Sequence, residues 1–124
     1  MIIFVFIYVS VEFFLDWDSH DAVIGPYPSS GVASWYRGLI TASGESINSE
    51  SLTCAMRKKD YGKYYQVCCV DNGNCVVVKH NDFGPRKKLF RQGRVIDLSH
   101  KAFESLAEHK TGLINVVITQ VDKP

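Results

Sequence analysis

The sequence predicts an all-β domain built as a small barrel. Short runs of alternating or β-branched residues recur from residue 31 onward, and Gly-, Asn-, Asp- and Pro-containing turns separate them. One stretch near the C-terminus has helical spacing instead. At 124 residues the chain is long enough for one domain. Many short strands with one helix are typical of a closed barrel.

Residues 1–30 differ in composition from the rest of the chain. Met1–Phe14 is almost wholly apolar, like the apolar part of an export signal, although a basic N-terminal region is missing. An apolar extension packed on the domain is the alternative. The run is too short for a stable membrane span. Residues 16–30 are acidic and then rich in Pro and Ser, as linkers are. We therefore predict a leader and linker over 1–30 and the barrel domain over 31–122.

The first strands follow from alternation. Gly31–Tyr36 alternates as a strand, and residues 37–46 form a loop rich in Gly, Ser and Thr. The apolar run Leu52–Met56 predicts the second strand. A charged turn at 57–62 separates it from Tyr64–Val70, which predicts the third.

The middle of the chain contains a strong hairpin signal. Asp71–Asn74 is a turn sequence, and the β-branched run Cys75–Lys79 after it predicts a strand buried on both faces. Arg86–Arg91 predicts a basic loop, and Val95–Ile96 a short strand.

The C-terminal part predicts one helix and a closing strand. Apolar residues recur at helical spacing over Leu98–Glu108, and either Asp97 or Ser99 could cap this helix. Thr111-Gly112 ends it, and Leu113–Val121 predicts the last strand.

Charge is unevenly distributed. Residues 1–30 carry four acidic and no basic side chains, whereas the remainder carries 14 basic against 9 acidic ones, a net +5. A basic body suits an anionic polymer such as cell-wall glycan or nucleic acid, and a solvated surface without a ligand is the alternative. No nucleic-acid-binding motif accompanies the charge, so we expect no nucleic-acid partner.

The four cysteines do not have the spacing of a metal site; they are Cys54, Cys68, Cys69 and Cys75. An even number fits disulfides, with three possible connectivities, and buried free thiols are the alternative. A four-residue turn at 71–74 would make Cys68 and Cys75 diagonal neighbours, roughly 7–8 Å apart.

The spacing of the histidines and cysteines predicts no metal site, and no motif in the sequence predicts a cofactor. His20, His100 and His109 have no partner spacing, and we expect them at the surface. The chain is expected to be a monomer.

Two carboxylates occur where buried β-runs end. Asp82 follows the strand that begins at Cys75, and Asp97 follows Val95-Ile96. Two acids held at strand ends beside one core suit acid/base chemistry on a polymer. The alternatives are an Asx turn for Asp82 and a helix cap for Asp97.

Four segments together resemble the rare lipoprotein A family, and more distantly the barrel of expansins. They occur in the family's order and spacing from residue 31 to 121, and comprise Gly31-Val32-Ala33-Ser34-Trp35-Tyr36, Thr41-Ala42-Ser43-Gly44-Glu45, Asn81-Asp82-x-Gly84-Pro85 and Gly93-Arg94-Val95-Ile96-Asp97-Leu98-Ser99. The resemblance implies a six-stranded double-psi β-barrel with one or two short helices. It also implies septal-ring peptidoglycan lytic transglycosylase activity.

Catalytic roles carry over by position. The family's acid in the Asn-Asp-x-Gly-Pro turn falls on Asp82, its Gly-Glu acid on Glu45, and an acid of related barrels on Asp97. A family histidine eleven residues after the glutamate falls on Met56, whose thioether cannot move a proton.

Four further residues are expected to bind substrate. His80 lies two residues before Asp82 and should share its strand face, where it could supply the missing imidazole. Tyr36 offers a sugar-stacking face. Arg86 and Arg94 could hold carboxylates of the peptide stem.

The implied function is cleavage of the bond between N-acetylmuramic acid and N-acetylglucosamine, giving 1,6-anhydro ends. The substrate would be peptidoglycan glycan, without a cofactor, and the site of action the cell envelope or the exterior. A non-catalytic expansin-like wall-binding module is the first alternative, for which the departure at Met56 argues. A secreted protein-binding barrel, such as a protease inhibitor, is the second.

Overall fold

The computed structural model describes residues 26–38 and 40–124, so the predicted apolar leader lies outside the described residues. The elements follow in chain order as β1 (Ser30–Tyr36), β2 (Thr53–Met56), β3 (Tyr64–Cys69), β4 (Cys75–Phe83), α1 (Lys87–Arg91), β5 (Arg94–Ser99), α2 (His100–Glu104), a 3-10 helix (His109–Thr111) and β6 (Ile114–Val121). No helix in this part of the chain is long and apolar enough to span a membrane.

The six strands close into a barrel in the order β1-β5-β2-β4-β3-β6. The pairs β1/β5 and β2/β4 are parallel, and the other four pairs are antiparallel. This closed mixed barrel with two short helices confirms the predicted six-stranded double-psi fold. Closure leaves no long free strand edge.

The barrel interior is filled by apolar side chains that alternate along the strands. In β6, Ile114, Val116 and Ile118 are buried while the residues between them are exposed. Phe103 and Leu106 close one side of the core from the α2 region. Full burial of an aliphatic or aromatic side chain of this size contributes about 1.5–3 kcal/mol.

β4 departs from its prediction in length and in burial. It runs to Phe83, and its first half alternates between buried and half-exposed positions instead of being buried on both faces. The outward residues Val77 and Lys79 therefore face away from the core. The β-branched run reflects strand propensity, not two-sided burial.

The β3–β4 hairpin closes one residue earlier than predicted. The N–H of Cys69 donates to Asn74 O at 2.7 Å, so Cys68 lies directly opposite Cys75 and not diagonal to it. Their Cα atoms are 4.0 Å apart and the two cysteines form a disulfide. Cys54 and Cys69 are buried free thiols.

The helices also differ from the sequence prediction. The segment expected to be a basic loop contains the short helix α1. The helix predicted over Leu98–Glu108 is only the five residues of α2, because Leu98 and Ser99 still belong to β5. Ser99 is the N-cap: its Oγ accepts from Ala102 N, and it also donates to Ser51 O at 2.7 Å.

One irregularity in β4 determines which way its last residues point. Along the β2/β4 pair, Cys54 lies opposite His80 and the next residue, Ala55, lies opposite Asp82. Asn81 is therefore an extra, bulged residue. Because Cys54 and Ala55 point to opposite faces of β2, His80 and Asp82 also point to opposite faces.

Candidate active site

Both predicted acids lie in one row that crosses four neighbouring strands. Asp82 of β4 lies opposite Ala55 of β2, which lies opposite Asp97 of β5, and Asp97 lies opposite Ser34 of β1. Two strand spacings separate the Cα atoms of the acids, about 10 Å. The neighbouring positions Cys54 and Ile96 point into the core, so the row faces outward. Barrel closure thus brings together residues from all over the chain.

Gly84 covers the centre of this row. A Cβ at this position would lie 3.7 Å from Ala55 Cβ and 3.8 Å from Asp97 Oδ2. Its φ is +154°, a conformation that side chains disfavour. Glycine therefore lets the chain pass closely over the space between the two acids.

Asp97 is the more enclosed of the two acids. Burial raises the pKa of its carboxyl group, the Ser34 hydroxyl and the Arg94 charge lower it, and the charge of Asp82 raises it further. The net direction is upward. Ser34 Oγ donates to Asp97 Oδ1, which fixes the orientation of the carboxyl group. Asp97 is therefore an oriented carboxyl group that holds a proton more readily than a free aspartate.

Asp82 is held by backbone N–H groups. Its Oδ1 accepts from Ala42 N at 2.9 Å and from Phe83 N at 2.8 Å. Among the described residues, these hydrogen bonds all go to Oδ1, so Oδ2 is the oxygen available to a substrate. The side chain is half-buried.

Glu45 ties the loop over Asp82 to β4. Its Oε2 lies 2.6 Å from Lys79 Nζ, and its Oε1 accepts from Asn81 Nδ2 at 2.9 Å. These two contacts lower the pKa of Glu45, despite some desolvation. Glu45 is therefore an ionised carboxylate at neutral pH, positioned to hold Ala42 against Asp82.

Tyr36 lies beside the row at the end of β1. Burial raises the pKa of its hydroxyl group, and the charges of Asp82 and Asp97 contribute to the rise. The hydroxyl lies next to that of Thr53, yet neither atom makes a hydrogen bond of normal geometry with the described residues. This hydroxyl oxygen is buried, so the part of Tyr36 that a sugar can reach is its half-exposed ring.

His80 does not share a face with Asp82, and that part of the prediction is wrong because of the bulge at Asn81. Its ring is completely buried. Nδ1 lies 2.6 Å from Asp60 Oδ1, and Nε2 lies 2.9 Å from the backbone oxygen of Asp82 and 3.3 Å from that of Met56. The ring supports the backbone of Asp82 from inside the barrel.

The remaining predicted residues lie around this row. The Met56 side chain is fully buried in the core. Arg94 begins β5 and acts electrostatically on Asp97, three residues away in the same strand. Arg86 is exposed immediately before α1. The structure thus brings Asp82, Asp97 and Glu45 into one region and leaves Arg86 at its solvent side.

His100 and His109, which have no partner spacing in the sequence, are half-exposed and contact each other. The rings of His100 and His109 stack with centroids 3.5 Å apart and planes 12° apart. Trp35 contacts the edges of both rings. A separation of nine residues has no helical or strand periodicity, so the sequence carries no signal for this pair.

The closed strand order and the two parallel pairs define a double-psi β-barrel. Residues 28–118 match the family described as lytic transglycolase, and the chain belongs to that family.

Curated relatives agree with this assignment. The chain is 42% identical over 92 residues to a probable endolytic peptidoglycan transglycosylase RlpA of Synechocystis, with 71% of this chain and 27% of the relative covered. It is 40% identical over 105 residues to the endolytic peptidoglycan transglycosylase RlpA of Vibrio cholerae, with 79% and 38% covered. The chain therefore spans about a quarter to two-fifths of the length of these relatives.

Solved structures show the same fold. A Clavibacter michiganensis expansin matches with a TM-score of 0.60 at 20% identity, over 77% of this chain and 51% of that one. A Streptomyces papain inhibitor matches with a TM-score of 0.56 at 25% identity, over 80% of this chain and 99% of that one.

Proposed function

We propose that this domain is a peptidoglycan lytic transglycosylase, a carbon–oxygen lyase that cleaves between N-acetylmuramic acid and N-acetylglucosamine. The observation that supports it best is the outward row in which Asp82 and Asp97 lie on either side of one strand, β2. The names of relatives at 40–42% identity point to the same reaction. The substrate would be the glycan strand, and the site of action the cell envelope or the exterior.

Asp82 is the acid/base group in this proposal. In its protonated form it gives a proton through Oδ2 to the glycosidic oxygen, and the bond from that oxygen to C1 of the muramic acid breaks. The carboxylate then takes the proton of the same sugar's 6-hydroxyl, whose oxygen bonds to C1 and closes the 1,6-anhydro ring. Asp82 ends protonated as it began, and no water is consumed. Its orientation by Ala42 and Phe83 N–H groups suits this role.

Asp97 and Tyr36 act on the sugar ring. In its ionised form, the carboxylate of Asp97, oriented by Ser34, stabilises the positive charge that develops at C1. The half-exposed Tyr36 ring packs against the sugar, and Arg94 and Arg86 bind carboxylates of the peptide stem.

Glu45 and His80 position Asp82 from opposite sides. Glu45 holds the loop above it, and His80 supports the strand below it. Neither needs to give up a proton during the reaction. Glu45 was predicted as a catalytic acid; its ionised state supports a role as a carboxylate, with the proton supplied by Asp82.

Digestion of purified sacculi followed by mass analysis of the soluble products tests the proposal. The parent should release anhydro-muropeptides, and Asp82→Asn should reduce their rate by at least about 100-fold, the usual contribution of a general acid. Asp71→Asn, an exposed acid in the β3–β4 turn, is the matched control. Absence of anhydro products from the parent contradicts the proposal.

An expansin-like binding module is the second candidate. The buried Met56, at the position of a family histidine, favours it. In that case the parent would bind sacculi without releasing any soluble product, and Asp82→Asn would leave binding unchanged.

A further inference from the structure

A second cluster of chemically active side chains lies on the α2 side of the barrel, away from the acid row. His100 and Glu104 are the first and last residues of α2, so they lie four positions apart on one helix face. His109 begins the 3-10 helix that follows. One ring nitrogen of each histidine and a carboxylate oxygen of Glu104 all lie within 4.8 Å of one another.

We propose that His100, Glu104 and His109 form a surface site for a divalent transition-metal ion such as Zn²⁺. Two imidazoles and one carboxylate are the donor set that such ions take, and a fourth position would remain for water. The sequence predicted no metal ligand here, because the turn between α2 and the 3-10 helix is what brings the two histidines together.

A tetrahedral ion fits this cluster after one rearrangement. The His100 and His109 rings are stacked with their planes 12° apart, and each lone pair lies in its own ring plane, so the His100 ring must turn out of the stack when it releases Arg37. With metal–nitrogen and metal–oxygen distances near 2.1 Å, two ligand atoms of one ion lie about 3.4 Å apart. The three ligand atoms lie within 4.8 Å of one another, so each distance between them must shorten by at most about 1.4 Å when an ion binds. Glu104 is exposed, so its long side chain can turn inward without unpacking the core.

His109 is already oriented as a metal ligand. Its Nε2 lies 2.8 Å from the backbone oxygen of His100, and a carbonyl only accepts, so Nε2 carries the hydrogen. In the neutral ring this leaves the Nδ1 lone pair for a metal. A ring N–H fixed on a backbone carbonyl is the usual support of a metal-bound histidine. The backbone oxygen of His109 in turn accepts from Trp35 Nε1 at 3.1 Å.

His100 accepts a hydrogen bond from Arg37 through an unprotonated ring nitrogen. Arg37 Nη2 lies 3.1 Å from His100 Nε2, and because a guanidinium only donates, that nitrogen is unprotonated. The neutral ring has one lone pair, so a metal bound through either nitrogen replaces the contact with Arg37.

Zn²⁺ titration of the tag-free full chain, after treatment with a chelator, tests the site. Calorimetry should show one ion bound per chain, and Co²⁺ in its place should give the visible absorption of a tetrahedral complex. Zn²⁺ should also raise the Tm of the parent, because an ion that binds only the folded chain stabilises it.

Variants assign the ligands. His109→Ala should abolish binding, and Glu104→Gln should weaken it at least about tenfold. Glu108→Gln, an exposed neighbouring carboxylate outside the cluster, and His20→Ala should leave binding unchanged. Arg37→Gln should strengthen binding about fivefold, since it removes a competing donor and a positive charge.

The proposal is overturned if the parent binds no Zn²⁺ at concentrations up to 1 mM, on the order of the weakest specific affinities. Binding that persists in both His109→Ala and Glu104→Gln, or that is lost in His20→Ala, also overturns it. Glu104 is exposed, so its variant keeps the test decisive even if His109→Ala fails to fold.

Discussion

Glu45 and Lys79 join the loop above Asp82 to the strand that carries it, with Oε2 and Nζ 2.6 Å apart. Both side chains are about one-third to two-fifths exposed, so the pair contributes little to stability, about 0.2–1 kcal/mol. Its effect should appear in the position of the N–H of Ala42, which contacts Asp82.

Glu45→Gln and Lys79→Met are therefore expected to reduce kcat on sacculi more than they reduce the free energy of unfolding. A double-mutant cycle should give a coupling near 0.5 kcal/mol in stability. Because the pKa of Glu45 is lowered on folding, its stabilising effect is present above its ordinary pKa and is lost as pH falls through the lowered value. Equal losses in kcat and stability would contradict the positioning role.

Asp97→Asn is expected to reduce activity and to raise stability at pH 7. Folding raises the pKa of Asp97, so its ionised form costs free energy in the folded state. At pH values between the ordinary and the raised pKa, the folded chain binds more protons than the unfolded chain does. The free energy of unfolding therefore rises as pH falls through that window. The Tm advantage of the amide should therefore shrink below the raised pKa.

Thermal melts of parent and Asp97→Asn between pH 3 and pH 8 would measure this difference. Asp71→Asn serves as the surface control. An amide variant less stable than the parent at neutral pH would show that the hydrogen bond from Ser34 outweighs the cost of burial.

His80→Ala is expected to destabilise the fold by about 2–4 kcal/mol, because it leaves a cavity and removes one partner of Asp60. Binding to sacculi should survive, while kcat falls as the backbone of Asp82 loses its support. His80→Gln, which keeps an amide N–H donor, should recover part of the activity. Urea unfolding and product release on the same samples separate the two effects.

The disulfide should contribute about 2–3 kcal/mol, the value for a loop of this short length. Replacing Cys68 and Cys75 together by Ala should lower the urea midpoint accordingly. The thiol of Cys54 is fully buried and its pKa is raised well above the usual value, so it should resist alkylation in the folded chain. Alkylation of Cys54 in the native state would contradict this burial.

The acid row was predictable because its parts have local signals. Asp82 and Asp97 each follow a β-rich run, and the resemblance supplied Glu45. The bulge was not predictable, because insertion of Asn81 depends on the register with β2 and leaves no mark on alternation in β4 itself. The contact of His100 with His109 was not predictable from the sequence either, because it depends on α2 ending at Glu104.

The bulge at Asn81 decides how this segment responds to a change in length. Deleting Asn81 would place Asp82 directly after His80 in a regular strand, so its carboxylate would still point away from the hydrocarbon interior. A regular strand that kept Asn81 would instead turn Asp82 to the face of His80. The bulge therefore lets the chain hold one more residue without reversing the direction of the acid.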